Sequence, residues 1–503
     1  MEEHKKERIK TGEGAEEKVK SWLNDKDNLA FLGILILAFV VLIYYFSLTK
    51  NQPLWWDEAE YMSTAKTWAF NIPYDIDPAR PPLFPFLASI LFSLGLQELS
   101  IKFLIVLLPA FLAVFFTYLL IKEMFDKKTA LLAALITAVS WIHIFYANRM
   151  MTDSIGLLFG LLVFYCFWKG YINNKGKVYI WLSGLFVALS FLIRLTGILY
   201  GAIIAFFLLI TQHFKPLKNK NIWMILVFFL LAISPYLIWS YSHFGTPFAF
   251  RSGYTGTGNN PIGWYMINHV YDYPEMGFFI LFLVGLITLI PMLLSLDKII
   301  RGEKTYANDF FMVFLVIFIL FFFIYFLRLA ENRWLIAMSI GIFTITAKGI
   351  IFVYDKAKQN AGKTLAVVLL LAILVSGTYF QLKHTDMIIK AKKDSYLPVK
   401  EAGLWIKENS NKDNVVFSIS YPQTVYYSER ETYRYDYMNE TAFDSLVQEK
   451  KPRYLIVSIF EKGHPDFLLS TTAKYQAMLK PVNAWFADEK KTQAALIIYE
   501  FIY

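Results

Sequence analysis

Cysteine is almost missing from this chain. Cys166 is the only one in 503 residues, so no disulfide can form within the chain and cysteine usage says nothing about compartment. Set in an apolar run, it reads as a small buried residue. Nor does the first apolar run have the pattern of a signal peptide. The stretch from Met1 to Asn28 is polar, mixed in charge and without an apolar h-region, and no A-x-A cleavage site ends the roughly 20 apolar residues from Leu29. That run reads as an uncleaved first membrane helix. There is no single basic patch either, although the net charge is +9. The basic residues recur in short clusters between apolar runs, which argues against a nucleic-acid surface and follows the positive-inside pattern of membrane proteins. No internal sequence repeat is visible.

What the chain has in quantity is apolar surface: 56% hydrophobic and 18% aromatic residues, with a mean hydropathy of +0.44. Soluble domains stay nearer about 45–50% apolar, so the class is a polytopic α-helical membrane protein. The clusters set the topology. They fall at Lys122/Lys127/Lys128, Lys169/Lys175/Lys177, Lys215/Lys218/Lys220, Lys298/Arg301/Lys304 and Lys348/Lys356/Lys358/Lys363. If all are cytoplasmic, an even number of crossings separates each consecutive pair. The 34 residues from Val178 to Thr211 would span about 50 Å as one helix, against a hydrocarbon core of about 30 Å, so they fold into two crossings with Arg194 at the outer apex. Residues 129–168, 221–296 and 309–347 pair in the same way. With a first helix, a second near Ser100–Ile121 and a last near Thr364–Phe380, the expectation is about 11 crossings.

The expected organisation is a cytoplasmic polar tail (1–28), a transmembrane unit (29–382) and an exoplasmic α/β unit (383–503). The long first outer loop, 50–99, holds "RPPLFPFLASILFSLG", whose apolar part is too short to span and reads as a juxtamembrane helix. In the last unit, "LPVKEAGLWIKENS" reads as a helix, and "NVVFSIS", "RYLIVSIF" and "ALIIYEFIY" as strands. Tyr427 reads as core packing and Arg430 as solvated surface, with a cavity-facing place as the alternative for both.

The expected outer turns carry arginine where the positive-inside rule disfavours it: Arg149, Arg194, Arg251, and Arg328 with Arg333, none of them lysine. Snorkelling to headgroups or capping a helix C-terminus accounts for any one of them. Together, beside acids on the same side, they point to a shared phosphate site, because a guanidinium fork binds phosphate bidentately and stays charged. Acids stand nearby in "WWDEAEY" (55–61), just beyond the first helix. On a helix Asp57 and Glu58 project about 100° apart, so one of them faces a given cavity, while Asp57 and Tyr61 share a face. A carboxylate beside an apolar cavity can act as a general base toward a hydroxyl; a polar interfacial loop is the plainer alternative. Asp153 in "NRMMTD" is a second outer acid, with an ion pair to Arg149 as its structural alternative, and Glu331 sits in the "RLAENRW" turn. No cofactor is implied. Asp57, Glu58 and Asp153 are oxygen ligands, so a divalent metal stays open, but no spacing argues for one.

"DEAEY" in the first outer loop, "RPPLFPFL", "NRMMTDS", the "IRLTG" turn and the late "ENRW" turn resemble the GT-C polyprenyl-phosphate-sugar glycosyltransferases, in particular the protein O-mannosyltransferase-like enzymes and the lipid A aminoarabinose transferases. The resemblance covers roughly residues 29–380, with the acidic pair and "RPPL" its most specific part. It implies Asp57 as catalytic base with Glu58 as its acidic neighbour. It places Arg80 at the basic position before the double proline, Arg194 near the turn where aminoarabinose transferases tend to have lysine, and Arg333 at the late basic position followed by an aromatic. Arg194 and Arg333 would then stabilise the departing polyprenyl phosphate.

The expected activity is therefore an inverting transfer of a sugar from a polyprenyl (dolichyl or undecaprenyl) phosphate to a hydroxyl of a protein, lipid or glycan. It takes place on the exoplasmic side of the plasma membrane. Asp57 and Glu58 form the catalytic pair, and Arg80, Arg149, Arg194 and Arg333 hold the donor phosphate. Tyr61, Asp153, Arg251, Arg328 and Glu331 are further site candidates. The alternative is a non-catalytic polyprenyl-lipid transporter or flippase, which would place its charges at the bilayer midplane rather than at one edge.

Overall fold

Asp25 accepts the Asp27 N–H at 2.9 Å and starts α1 (Lys26–Leu48). The computed structural model describes residues 20–250, 268, 270–327, 331–469, 473–488 and 490–503, so Arg251 and Arg328 lie outside the described residues. Beyond α1 the chain enters α2 (Trp56–Phe70), where the Glu58 carboxylate accepts the Trp55 N–H at 2.6 Å as in a capping box. Asn71, in the left-handed region at φ 56°, ends it. Pro81 and Pro82 precede α3 (Leu83–Ser93), the short helix expected in the first loop.

There follow α4 (Glu98–Met124), α5 (Lys127–Val139), α6 (Trp141–Tyr146), α7 (Asp153–Ile172), α8 (Lys177–Ile193) and α9 (Leu195–Gln212). The bundle is completed by α10 (Lys220–Phe244), α11 (Glu275–Leu293), α12 (Ala307–Tyr325), α13 (Asn332–Ala361) and α14 (Lys363–Lys392). Among the described residues nine of these helices are long and apolar enough to cross a membrane. Adding α8, and α5 with α6 as one crossing broken at Ser140, brings the count to eleven. The alternation puts the lysine-rich turns at one end of the bundle and the turns bearing Arg149, Arg194 and Arg333 at the other. Small residues let helices meet closely: a Cβ on Gly285 of α11 or on Gly349 of α13 would strike the backbone of the facing helix.

One boundary moves. α14 does not stop near residue 383 but continues to Lys392. The polar residues after Phe380 mark buried packing rather than a helix end: Gln381 accepts the Trp141 N–H at 2.8 Å and donates to the Tyr273 carbonyl at 2.8 Å.

Beyond it lie α15 (Leu397–Asn409), β1 (Val416–Ser418), α16 (Tyr421–Ser428), β2 (Thr432–Tyr433), α17 (Glu440–Lys450), β3 (Tyr454–Ser458), β4 (Leu479–Phe486) and β5 (Ala494–Phe501). The sheet order is β2-β1-β3-β5-β4, with β1 parallel to β2 and β3, and β5 antiparallel to β3 and β4. α15 packs on one face of the sheet through Val399, Ala402 and Ile406, and α17 on the other through Phe443 and Val447. Arg430 is not solvated: it is 5% exposed and donates to the carbonyls of Lys407 and Ser410 at 2.9 and 2.8 Å, closing the end of α15. Tyr427 is buried as well, its hydroxyl accepting the Leu54 N–H at 2.8 Å. α16 also grips α2, with Ser63 Oγ donating to the Pro422 carbonyl at 3.1 Å and Lys66 Nζ to Glu429 at 2.8 Å.

Candidate active site

At the arginine end of the bundle a cavity of about 130 Å3 opens between α2, the loop before α3 and three interhelical turns. Asp57 and Tyr61 face it from α2, Arg80 from the loop, Asp153 from the start of α7, Arg194 from the α8–α9 turn and Arg333 from the start of α13. Local chain geometry explains the placement. One turn of helix brings Asp57 and Tyr61 to the same side. Arg194 is extended (φ −154°, ψ 124°) and so breaks the apolar run into two helices, while Gly197 donates its N–H to the Arg194 carbonyl at 2.7 Å. A side chain on Gly197 would collide with the Ser190 backbone, so glycine is what lets this turn close.

Asp57 is the hub of the charges. Arg80 Nη2 reaches its Oδ1 at 2.8 Å and Arg333 Nη1 reaches its Oδ2 at 2.6 Å. Arg194 ion-pairs with Asp153 and donates to the Arg333 carbonyl at 3.3 Å. Glu331 holds the far side of Arg333 at 2.5 Å and is 56% exposed, at the rim. Burial alone would raise the Asp57 pKa, but Arg80 and Arg333 together outweigh it and hold the carboxyl below its ordinary range.

Two of the expected site residues are not brought to the cavity. Glu58 and Arg149 form a buried ion pair, with side chains 1% and 2% exposed. Glu58 also accepts the Met150 N–H at 2.6 Å, and the Arg149 guanidinium lies 3.7 Å over the Trp55 ring. The pair ties the first turn of α2 to the α6–α7 turn. Asp153 pairs with Arg194 rather than with Arg149.

One residue in the cluster stands outside the expected set. Glu60 ion-pairs with Arg80, which it shares with Asp57, and accepts the Trp56 indole N–H at 2.8 Å. Burial pushes its carboxyl up to about 7, with Arg80 and Trp56 pulling back. Its signal was the three-residue spacing from Asp57, which puts both acids on neighbouring positions of one helix surface. As for metals, among the described residues no three His, Cys, Asp or Glu side chains gather to hold an ion.

An apolar groove of about 650 Å3 runs between α3, α8 and α10, lined by Trp68, Phe86, Leu192, Tyr236 and Trp239. It adjoins the cavity: Pro82 and Leu192 line the groove where Pro81 and Arg194 line the cavity.

Residues 79–239 match the family model described as dolichyl-phosphate-mannose-protein mannosyltransferase. A protein of Aquifex aeolicus (strain VF5), described as uncharacterized, is 28% identical over 210 residues, or 40% of this chain and 42% of that protein. The chain thus spans about two fifths of the length of the curated relative it matches. Among solved structures, ArnT from Cupriavidus metallidurans bound to undecaprenyl phosphate superposes with a TM-score of 0.65 at 13% identity, covering 92% of this chain and 97% of that one. The archaeal oligosaccharyltransferase AglB from Archaeoglobus fulgidus, in complex with an inhibitory peptide and a dolichol-phosphate, gives a TM-score of 0.60 at 14% identity, over 85% of this chain and 69% of that one.

Proposed function

With a fold that is that of the GT-C glycosyltransferase superfamily as premise, we propose that this chain transfers a sugar from a polyprenyl-phosphate donor to a hydroxyl of a protein, lipid or glycan acceptor, with inversion at the anomeric carbon. The observation that carries the reading is the placement of Asp57 between Arg80 and Arg333, with Arg194 alongside, where an apolar groove ends. The groove takes the isoprenoid tail and the arginines take the phosphate. The arginine turns and the C-terminal sheet face the exoplasmic side of the plasma membrane, and the lysine turns and the N-terminal tail face the cytoplasm.

Without ligand, Arg80 and Arg333 keep Asp57 a weak base. A donor phosphate competes for both guanidinium groups, so its arrival releases Asp57 and restores its basicity just when a base is needed. The acceptor O–H gives its proton to Asp57, and its oxygen attacks the anomeric carbon in line. The bond from that carbon to the phosphate oxygen breaks, and its electron pair leaves with the phosphate. The arginines stabilise the charge that develops there. Glu58 and Arg149 hold α2 in place rather than touching the donor.

The test uses full-length protein in nanodiscs, a panel of undecaprenyl- and dolichyl-phosphate sugars, and membrane-extracted acceptors. Release of polyprenyl phosphate with a product of inverted anomeric configuration by NMR supports the reading. A retained configuration overturns the single-displacement mechanism. Tight binding of polyprenyl phosphate with no turnover on any donor would favour a lipid transporter.

A further inference from the structure

The C-terminal sheet has a feature the transfer reaction above does not use. Its parallel strands run in the order β2-β1-β3, so the β1–β2 connection departs to one side and the β2–β3 connection crosses back over β1. The helices consequently lie on opposite faces, and the carboxyl ends of β1 and β3 mark the switch point of the sheet, the crevice position at which open parallel sheets bind ligands. Polar side chains collect there. Ser420 follows β1, Arg434 and Asp436 follow β2, and Glu461 follows β3. Arg434 holds Asp436 bidentately, at 2.9 and 2.6 Å, yet its side chain is 49% exposed. Glu461 is half-buried, and its one hydrogen bond among the described residues comes from Ser420 Oγ at 3.4 Å. It keeps most of its acceptor capacity unused, and burial raises its pKa.

This crevice faces the reaction site. α16 lies along α2, with Pro422 against Ser63 and Glu429 against Lys66, so the first turns of α2 project beyond the start of α16 and over the strand ends. Arg434 accordingly sits 5.4 Å from the Trp56 ring centre. From Trp56 the contacts continue through Glu60 to Arg80 and Asp57.

We propose that this crevice, where Ser420, Arg434, Asp436 and Glu461 meet Trp56, is an acceptor subsite that binds the sugar ring of a glycan. The inference rests on the transferase reading and adds its acceptor side. Vicinal hydroxyls suit carboxylate and guanidinium forks, and the C–H face of a pyranose packs on an indole. A peptide added as a strand has little to pair with here, since β2 is only two residues long. A sugar held in the crevice extends its neighbouring residue past Trp56 toward Asp57.

The experiment is saturation-transfer NMR on the full chain in nanodiscs, with methyl α-D-mannopyranoside as probe and a capped Ser/Thr hexapeptide as competitor. Wild type is expected to saturate the ring protons of the sugar. Glu461→Gln and Arg434→Gln are expected to weaken binding about tenfold each, the loss of hydrogen bonds to a charged group. Ser420→Ala, on a third element, gives a smaller loss in the same direction, and thermal melts check that all three fold. Affinity for undecaprenyl phosphate, measured on the same samples, is expected to be unchanged. Sugar binding that is equal in wild type and variants, absent throughout, or replaced by peptide binding at the same residues overturns the subsite. Loss of undecaprenyl phosphate binding already in wild type would instead count against the donor reading and leave the crevice result standing.

Discussion

Glu60 offers a test that needs no substrate. Its carboxyl, 11% exposed, is pushed up to about 7 from an ordinary 4.5, chiefly by burial, with Asp57 and Asp77 adding to the rise and Arg80 and the Trp56 indole opposing it. Between those two values the folded state binds more protons than the unfolded state. The favourable contribution is therefore complete below the unfolded pKa and lost as pH rises through the folded one. For values of 4.5 and about 7, the loss between pH 5 and pH 8 amounts to about 2–3 kcal/mol. Glu60→Gln keeps the shape and an acceptor for Trp56 but cannot ionise, so this slope should vanish. The single buried cysteine supplies the assay, because Cys166 reacts with a thiol-specific dye only on unfolding. Relative to wild type, the variant's apparent Tm should rise by about 2–3 °C on going from pH 5 to pH 8. Parallel pH profiles for the two proteins would refute the placement of Glu60 in a shared, water-poor site with Arg80.

The buried Glu58–Arg149 pair should behave as structure. Glu58→Gln strands the Arg149 charge and is expected to destabilise by about 3–5 kcal/mol, read as a lower melting temperature and reduced folded yield; near-wild-type stability would contradict that. Arg194→Gln should weaken undecaprenyl phosphate binding by about 10–150-fold, the worth of charge-assisted hydrogen bonds, and should also lower the melt, because it leaves the buried Asp153 carboxylate without its partner. Unchanged lipid affinity by scintillation proximity or native mass spectrometry would remove Arg194 from the phosphate site. Gly197→Ala, which forces the α8–α9 turn open against the Ser190 backbone, should reduce donor affinity without touching any charge; wild-type affinity would mean the turn tolerates the shift.

Apolar runs and lysine clusters were enough to count crossings, because membrane length and charge placement are strong constraints on each segment independently. The run from Val178 to Thr211 illustrates this, since length alone demanded the break that the structure places at Arg194. The end of α14 was not legible in the same way. Gln381 and Thr385 look like the onset of a soluble segment, yet they are buried, and only their distant partners explain it. Within the site, side-of-membrane reasoning collected Asp57, Arg194 and Arg333 without knowing their contacts, and the family resemblance added Arg80. It could not say which of Asp57 and Glu58 turns inward, because helix geometry fixes their separation but not the direction of the core. The Arg149–Asp153 spacing pairs on a continuous helix; the turn between α6 and α7 breaks that relation and gives each residue another partner. Glu60 was overlooked because its partner Arg80 lies twenty residues further on, beyond any local pattern.

The most direct measurement compares wild type with Asp57→Asn in nanodiscs, following polyprenyl phosphate release alongside donor-lipid affinity. The account predicts that turnover falls by at least about a hundredfold, the usual worth of a general base, while donor affinity holds or improves because Arg80 and Arg333 no longer share their charge with a carboxylate. Equal turnover in both proteins would contradict the assignment of Asp57 as the base, and a loss of donor affinity that tracks the loss of turnover would contradict the division of labour between carboxylate and arginines.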